Sequence, residues 1–150
     1  MNILTIISAL IGLLLIAIIV LFVYWRIPKR LKSNTFVPRW REVQLFCKDK
    51  KTWPNALIEA DLLLDNALKR RKLKGKTMGE RLVSAQRKLS NNDAVWFAHN
   101  LSKKIAVDPT MRLKEADVKS ALIGFRQALK DLGAFEASKD TNDKQEVDAA

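Results

Sequence analysis

The sequence has few of the residues on which most metal-binding and covalent sites are built. Its 150 residues include one cysteine, Cys47, and one histidine, His99. A single cysteine excludes an internal disulfide, and a lone thiol is typical of a reducing compartment. One histidine and one cysteine also fall short of the four ligands that a structural zinc site usually takes. We therefore predict no metal site and no cofactor.

Glycine is scarce as well, with five in the whole chain. Gly75 and Gly79 are too few and too far from the required spacing to form a phosphate-binding loop. No nucleophile elbow surrounds Cys47 or the serines, which argues against a covalent catalytic centre. Alternating strand patterns and Asn-Gly or Asp-Gly hairpin signals are missing too. These absences predict an all-α chain without a nucleotide-binding loop.

The longest hydrophobic run is at the N-terminus, where Ile3 to Trp25 includes no charged side chain. As a helix with about 1.5 Å of rise per residue it reaches roughly 34 Å, enough to cross a hydrocarbon core of about 30 Å. The start of the run has no basic residue and its end has no small-residue cleavage pattern, so it is not typical of a cleavable signal peptide. Residues 1–27 are predicted to be a transmembrane anchor that is retained.

Positive charges follow this run at once. They are Arg26, Lys29, Arg30 and Lys32. By the positive-inside rule this side lies in the cytoplasm and the short N-terminus lies outside. The prediction is a single-pass protein of the inner (plasma) membrane with a cytoplasmic C-terminal part. Residues 28–37 are interpreted as a basic juxtamembrane linker, whose charge is better explained by orientation and solubility than by a ligand.

Residues 38–137 are predicted to form a cytoplasmic bundle, and 138–150 a disordered polar tail. The fold class is all-α: an N-terminal transmembrane helix followed by an antiparallel bundle of about five helices. The expected helices run from Pro38 to Lys50, from a Thr52 cap, from a Thr77 capping box, from an Asn91-Asn92 cap, and from Lys114 to Leu132 before Gly133. The second is expected to be central because apolar residues recur at spacings of three and four: Ala56, Leu57, Ala60, Leu63, Leu64, Ala67 and Leu68.

The chain is strongly basic, with a formal net charge of +11. Between the second and third predicted helices, six cations occupy eight positions: Lys69, Arg70, Arg71, Lys72, Lys74 and Lys76. With Lys103 and Lys104 they are candidate ligands for RNA phosphates or anionic lipid headgroups. The alternative is that they serve only solubility.

A second candidate region is a groove formed by Asp61, Trp96 and His99. Asp61 and Asp65 lie one turn apart, and such carboxylates bind divalent ions or transfer protons at some sites. More often they are solvated or pair with nearby Lys and Arg, which is the favoured interpretation. His99 lies on the shoulder of the fourth helix, off the main core stripe, where a hydrogen-bonding packing role is favoured over catalysis. Core or groove packing is likewise favoured over base stacking for Trp96, so no catalytic residue is predicted.

Three segments carry a resemblance to a known family. They are Trp53 to Asp61, Gly75 to Leu82, and Trp96-Phe97-Ala98-His99. Together they resemble small bacterial membrane-anchored proteins of unknown role whose cytoplasmic part is similar to HEPN-type helical domains. The similarity covers about Arg39 to Phe135. Because HEPN-like domains commonly pair, the resemblance implies a HEPN-like bundle and a homodimer.

The ribonuclease signature of that family is not intact here. Relatives typically have an Arg-Asn pair after the Ala-His pair and a histidine four residues beyond the Asn. This chain has Ser102 and Lys103 at the pair and Val107 at the histidine. A valine cannot transfer a proton, and a serine cannot hold a phosphate as a guanidinium does. His99 matches the other, non-catalytic histidine of the pattern.

Two functional hypotheses from different classes result. The first is a non-enzymatic membrane-anchored binding or scaffolding module at the cytoplasmic face, with an unidentified protein partner. The alternative is an RNA-binding protein or residual HEPN-type ribonuclease that uses the basic patch. A third option has the basic loop pressed onto anionic lipid.

Overall fold

The structure is a computed structural model that describes residues 2–136. Within this range it has six α-helices, short 3₁₀ turns at Lys50–Thr52 and Gln86–Lys88, and no strand. The helices are α1 (Ile3–Arg26), α2 (Ser33–Phe46), α3 (Trp53–Arg70), α4 (Met78–Ala85), α5 (Asn92–Val107) and α6 (Glu115–Asp131). The all-α prediction is confirmed. The predicted disordered tail, 138–150, lies outside the described residues.

α1 is apolar around its whole circumference, and none of its residues is buried. Its 24 residues span about 36 Å at 1.5 Å per residue. The helix is long and apolar enough to cross a membrane. It ends at Arg26, two residues before Pro28, which lacks the N–H needed to continue a helix.

The structure differs from the prediction in the linker and in the start of the next helix. α2 begins at Ser33, not at Pro38, and Pro38 lies inside the helix. Leu31 and Phe36 explain the difference, because both are buried in the core, with 7% and 1% of their surfaces exposed. Their burial holds the preceding turn against the bundle, which sequence reasoning missed because basic and polar residues (Arg30, Lys32, Ser33, Asn34 and Thr35) break the apolar pattern here. The free link between α1 and the core is therefore only residues 27–30.

α3 is the central helix, as predicted, and α2, α4, α5 and α6 all pack against it. The whole predicted apolar stripe of this helix is buried, together with Trp53 at its first position. Pro54 lies in the first turn, where its missing N–H breaks no hydrogen bond. α2 ends earlier than predicted, at Phe46, because Thr52 Oγ1 donates to the Phe46 carbonyl (2.6 Å) and turns the chain into α3.

Two predicted helix starts are confirmed by their caps. Thr77 Oγ1 accepts a hydrogen bond from the Glu80 N–H at 3.2 Å, and Asn91 Oδ1 accepts one from the Ala94 N–H at 3.0 Å. The Glu80 carboxylate reaches one residue further back than a standard capping box, to the N–H of Lys76 at 2.7 Å. Glu80 therefore holds the end of the preceding loop as well as the start of α4.

The predicted stop at Gly133 is confirmed too. Gly133 has φ +82°, a conformation that costs a glycine little. Its N–H donates to the Lys130 carbonyl, and the Ala134 N–H donates to the Leu129 carbonyl, both at 2.9 Å. This pair of bonds is the Schellman arrangement that closes a helix.

α5 and α6 approach each other most closely at Gly124. A Cβ at this position would lie 2.7 Å from the Ala94 carbonyl oxygen and 3.0 Å from its carbon, both backbone atoms. Backbone cannot move aside as a flexible side chain can. The close contact between α5 and α6 therefore depends on a residue without a side chain.

We expect Gly124→Ala to destabilise the bundle by about 1–3 kcal/mol, because the added methyl forces α5 and α6 apart. Gly79→Ala is the matched control, since its Cβ would make only ordinary contacts, with the Trp96 ring at 3.6 Å and with Thr77 Oγ1 at 4.0 Å. That substitution should be neutral or stabilise by up to about 1 kcal/mol. Urea unfolding of the full-length protein in detergent, followed by tryptophan fluorescence, measures both. Equal stabilities would contradict the proposed close approach.

Candidate functional site

The basic loop, residues 69–76, continues directly from the C-terminal turn of α3. The Lys72 N–H donates to the Lys69 carbonyl at 2.9 Å, and the Leu73 N–H donates to the Leu68 carbonyl at 3.1 Å. This is the same closing pattern as at the end of α6, but the left-handed position is occupied by Lys72, with φ +55°. Glycine is favoured there. A lysine in this position therefore carries a backbone cost of about 1 kcal/mol that a glycine would avoid.

Arg81 of α4 holds the basic loop against the central helix, and only 6% of its surface is exposed. Its Nε and Nη2 both donate to Asp65 Oδ1, at 2.8 and 2.5 Å. Its Nη1 donates to the carbonyls of Gly75 and Lys76, at 2.8 and 3.1 Å. One guanidinium therefore links α3 to the loop backbone. Sequence reasoning did not single out Arg81, although a charged residue beside Leu82 on the inward face of a short helix was a signal.

Asp65 carries the charge that balances Arg81. Burial would raise the pKa of its carboxyl group, but hydrogen bonds from Lys69 and Arg81 outweigh burial and hold the pKa below its ordinary value. Lys69 Nζ lies 2.7 Å from Asp65 Oδ2 and is largely exposed. The prediction that this carboxylate pairs with neighbouring Lys and Arg is confirmed.

The basic loop lies beside the C-terminal end of α1. Lys72 Nζ donates a hydrogen bond to the backbone carbonyl of Trp25, in the last turn of that helix. A cleft of about 550 Å³ opens here, lined by Tyr24, Trp25, Ile27, Pro28, Lys29 and Lys72. The Arg70 guanidinium lies 5.6 Å from the centroid of the buried Phe36 ring, near the start of α2. The loop thus packs close to the segment that connects α1 to the core.

The eight candidate cations do not form one patch. Asp61 of α3 contacts His99 of α5. One turn further along α3, Asp65 binds Arg81 of α4, and Gly79 of the same helix lies beside Trp96, which precedes His99, so α3 and α5 are antiparallel. From the contact between Asp61 and His99, the basic loop lies toward the C-terminus of α3, whereas Lys103 and Lys104 lie toward its N-terminus. The two groups are separated by about 20 Å along α3 at 1.5 Å per residue. Lys103 and Lys104 therefore belong to a different surface.

The predicted groove residues Asp61, Trp96 and His99 do come together. His99 Nδ1 lies 2.9 Å from Asp61 Oδ1, and the Trp96 and His99 rings meet edge to face with centroids 6.1 Å apart. His99 is buried, with 7% of its surface exposed. The prediction that it lies on the shoulder of its helix, away from the core, is therefore wrong. The Asp61 carboxylate permits this burial because it accepts the Nδ1 proton. Burial raises the pKa of Asp61, and the His99 hydrogen bond offsets only part of that rise.

This arrangement suits hydrogen-bonded packing better than catalysis. Across residues 2–136, no group of three or more His, Cys, Asp or Glu side chains is arranged to hold a metal ion. Ser102 is buried and Val107 is 87% exposed. A serine hydroxyl has no positive charge with which to hold a phosphate, and a valine cannot transfer a proton.

A groove between α2 and α6, here called the α2/α6 groove, was missed by sequence reasoning. Both helices pack on α3, and an open apolar cavity of about 460 Å³ lies between them. Its apolar lining includes Trp40, Val43, Cys47, Val118, Leu122 and Ile123. A second cavity, of about 780 Å³, shares Trp40 and Ile123 and extends the groove to Phe135. No sequence signal marked it, because the groove depends on the spacing of two helices that are distant in sequence.

Trp40 is the most informative residue of this groove. Only 8% of its surface is exposed, yet its buried indole Nε1 has no hydrogen-bond acceptor within the part of the chain that the structure describes. A buried N–H without an acceptor is costly, so such groups are usually satisfied by a partner or by water. Ile123 on the opposite wall is 59% exposed. Cys47 also lines the groove. Burial raises the pKa of its thiol, so the thiol stays protonated and serves as a packing group.

We expect Asp65→Asn and Asp61→Asn, one helical turn apart, to differ in effect. At pH 7 Asp65→Asn should cost about 3 kcal/mol, because it leaves the buried Arg81 charge without its partner. Asp61→Asn should cost less than about 1 kcal/mol, since the amide oxygen still accepts from His99 and the desolvated charge is removed.

The pH dependence of unfolding should separate the two carboxylates further. Asp65 has a lowered pKa, so its stabilisation is present above 3.8 and is lost as pH falls through the folded-state value. Asp61 has a raised pKa, so its ionised form opposes folding, and this penalty disappears as pH falls through that raised value. Urea unfolding should show an Asp65→Asn deficit that is constant from pH 7 down to about pH 4 and shrinks only as the pH falls below 3.8. A deficit that does not change with pH would contradict this assignment.

The chain was compared with protein-family models, with curated proteins and with solved structures, and none of the three comparisons found a match.

Proposed function

We propose that this protein is a non-enzymatic, single-pass membrane protein that holds a HEPN-like helical bundle at the cytoplasmic face as a binding or scaffolding module. The α2/α6 groove is its binding surface, and the ligand is an apolar helical segment of a partner protein. The observation that carries this proposal is the open apolar groove between Trp40 of α2 and the 59% exposed Ile123 of α6.

The chemistry of the groove fits a helix that docks by its apolar face. α6 has 17 residues and is about 25 Å long, which matches four to five turns of a bound helix. Exposed Ile123 and the Trp40 ring supply the apolar contact. Tryptophan rings at the centre of an interface often dominate its binding energy.

The anchoring part of the proposal is supported by α1. An exposed apolar surface around 24 residues is unfavourable in water and favourable in lipid. Arg26 and the cations that follow lie only on its C-terminal side, which favours a cytoplasmic bundle and an external N-terminus.

RNA binding or residual ribonuclease activity is the weaker hypothesis. Its proposed patch combined the basic loop with Lys103 and Lys104, which lie about 20 Å apart along α3. His99 Nδ1 already contacts Asp61, and the two family catalytic positions hold Ser102 and Val107. RNA cleavage that disappears in His99→Ala would revive this hypothesis.

A photo-crosslinking amino acid at position 123 of the full-length protein in cells tests the groove. Position 83 is the matched control, because Val83 is similarly exposed (54%) but lies on α4. We expect discrete protein adducts from position 123 that are absent from position 83. Trp40→Phe replaces the indole of the groove wall with a smaller phenyl ring and removes its N–H, and should lower the adduct yield several-fold at position 123.

An adduct of twice the chain mass would identify a second copy as the partner and support the homodimer. Adducts that are equal at positions 83 and 123, or absent at both, would contradict the groove as the binding surface.

Topology is tested separately by fractionation. The full-length protein should stay with membranes after alkaline carbonate extraction, because α1 is solvated by lipid. A protease added outside intact cells should leave the C-terminal part uncut. A freely soluble chain, or digestion of the bundle from outside, would overturn the anchoring.

A further inference from the structure

The link between α1 and the bundle is short. α1 ends at Arg26, and Leu31 is already buried in the core. Residues 27–30 are the only free link, and four extended residues span at most about 14 Å. If α1 crosses the bilayer as proposed above, the bundle is held within that distance of the end of the membrane-spanning helix.

The basic loop is the part of the bundle that faces this end. Lys72 donates to the Trp25 carbonyl, and Arg70 stacks over Phe36, five residues after the buried Leu31. The polar headgroup layer of one leaflet is about 5–8 Å thick. The loop therefore lies at the depth of the headgroups rather than in open cytoplasm.

The loop backbone is held in place while its cations remain exposed. Ser84 Oγ donates to the Lys74 carbonyl at 2.7 Å, and Glu80 accepts from the Lys76 N–H. The Lys74 and Lys76 side chains are exposed and form no ion pair within the described residues. Because the loop backbone is already fixed and the ammonium groups are free, binding an anion would cost less conformational entropy.

We propose that the basic loop binds the phosphates of anionic phospholipids and so seats the bundle on the membrane in one orientation. This inference rests on the proposed anchoring by α1. Lipid is favoured over RNA because the loop faces the bilayer end of α1, where an anionic membrane would repel a polyanion. Each cation near such a surface strengthens binding. Arg81 and Asp65 act as positioning residues, since they hold the loop without contacting lipid.

The test is native mass spectrometry of the full-length protein in detergent with added phosphatidylglycerol or phosphatidylcholine. Lys74→Gln with Lys76→Gln should weaken phosphatidylglycerol binding by about 20- to 30-fold, at roughly fivefold per neutralised cation. Phosphatidylcholine binding should not change. Lys103→Gln with Lys104→Gln removes the same charge from the other end of the bundle and should have little effect.

Equal losses in the two double variants would overturn the inference, because net charge rather than the loop would then bind lipid. Binding of a fluorescent single-stranded RNA that falls with Lys74→Gln and Lys76→Gln, while phosphatidylglycerol binding is unchanged, would overturn it in favour of RNA. Carbonate extraction keeps the two proposals apart. A chain that stays membrane-bound but shows no loop-dependent lipid binding refutes only the lipid site, whereas a soluble chain refutes the anchoring.

Discussion

The ion pair between Asp65 and Arg81 determines how the central helix meets the loop that follows it. Asp65 lies on α3, and Arg81 brings the carbonyls of Gly75 and Lys76 to the same guanidinium. Without this pair, six closely spaced cations would repel one another on a free segment. With it, the loop backbone is fixed, and Lys74 and Lys76 remain exposed.

The position of the bundle relative to α1 depends on this fixed loop and on two buried apolar residues. Leu31 and Phe36 bring the chain into the core directly after α1, and Phe36 lies beneath Arg70 at the end of α3. The end of α1, the start of α2 and the end of α3 therefore converge. This convergence makes the basic loop the nearest part of the bundle to α1, and it leaves Lys103 and Lys104 on a separate surface.

The α2/α6 groove depends on α3 in a different way. α3 separates α2 from α6, because each packs on it without closely packing on the other. Trp40 extends into the space between them and contacts the Phe135 ring edge to face, with centroids 6.0 Å apart. The apolar surface left open is the proposed binding surface, and the bundle creates it by its own packing. The proposed functions of the groove and of the basic loop thus use different faces of one helical framework.

The sequence by itself determined the elements whose signals are local. The uncharged run of α1, the apolar stripe of α3, the caps at Thr77 and Asn91 and the stop at Gly133 depend on residues within a few positions of one another, so spacing alone predicts them. Only the tertiary structure decided the start of α2, the burial of His99, the role of Arg81 and the α2/α6 groove. Each of these depends on a partner distant in sequence: the core around Leu31 and Phe36, Asp61 for His99, Asp65 for Arg81, and α6 for Trp40. Local periodicity carries no information about which distant side chain satisfies a buried charge or closes an apolar surface, because that choice is made by packing.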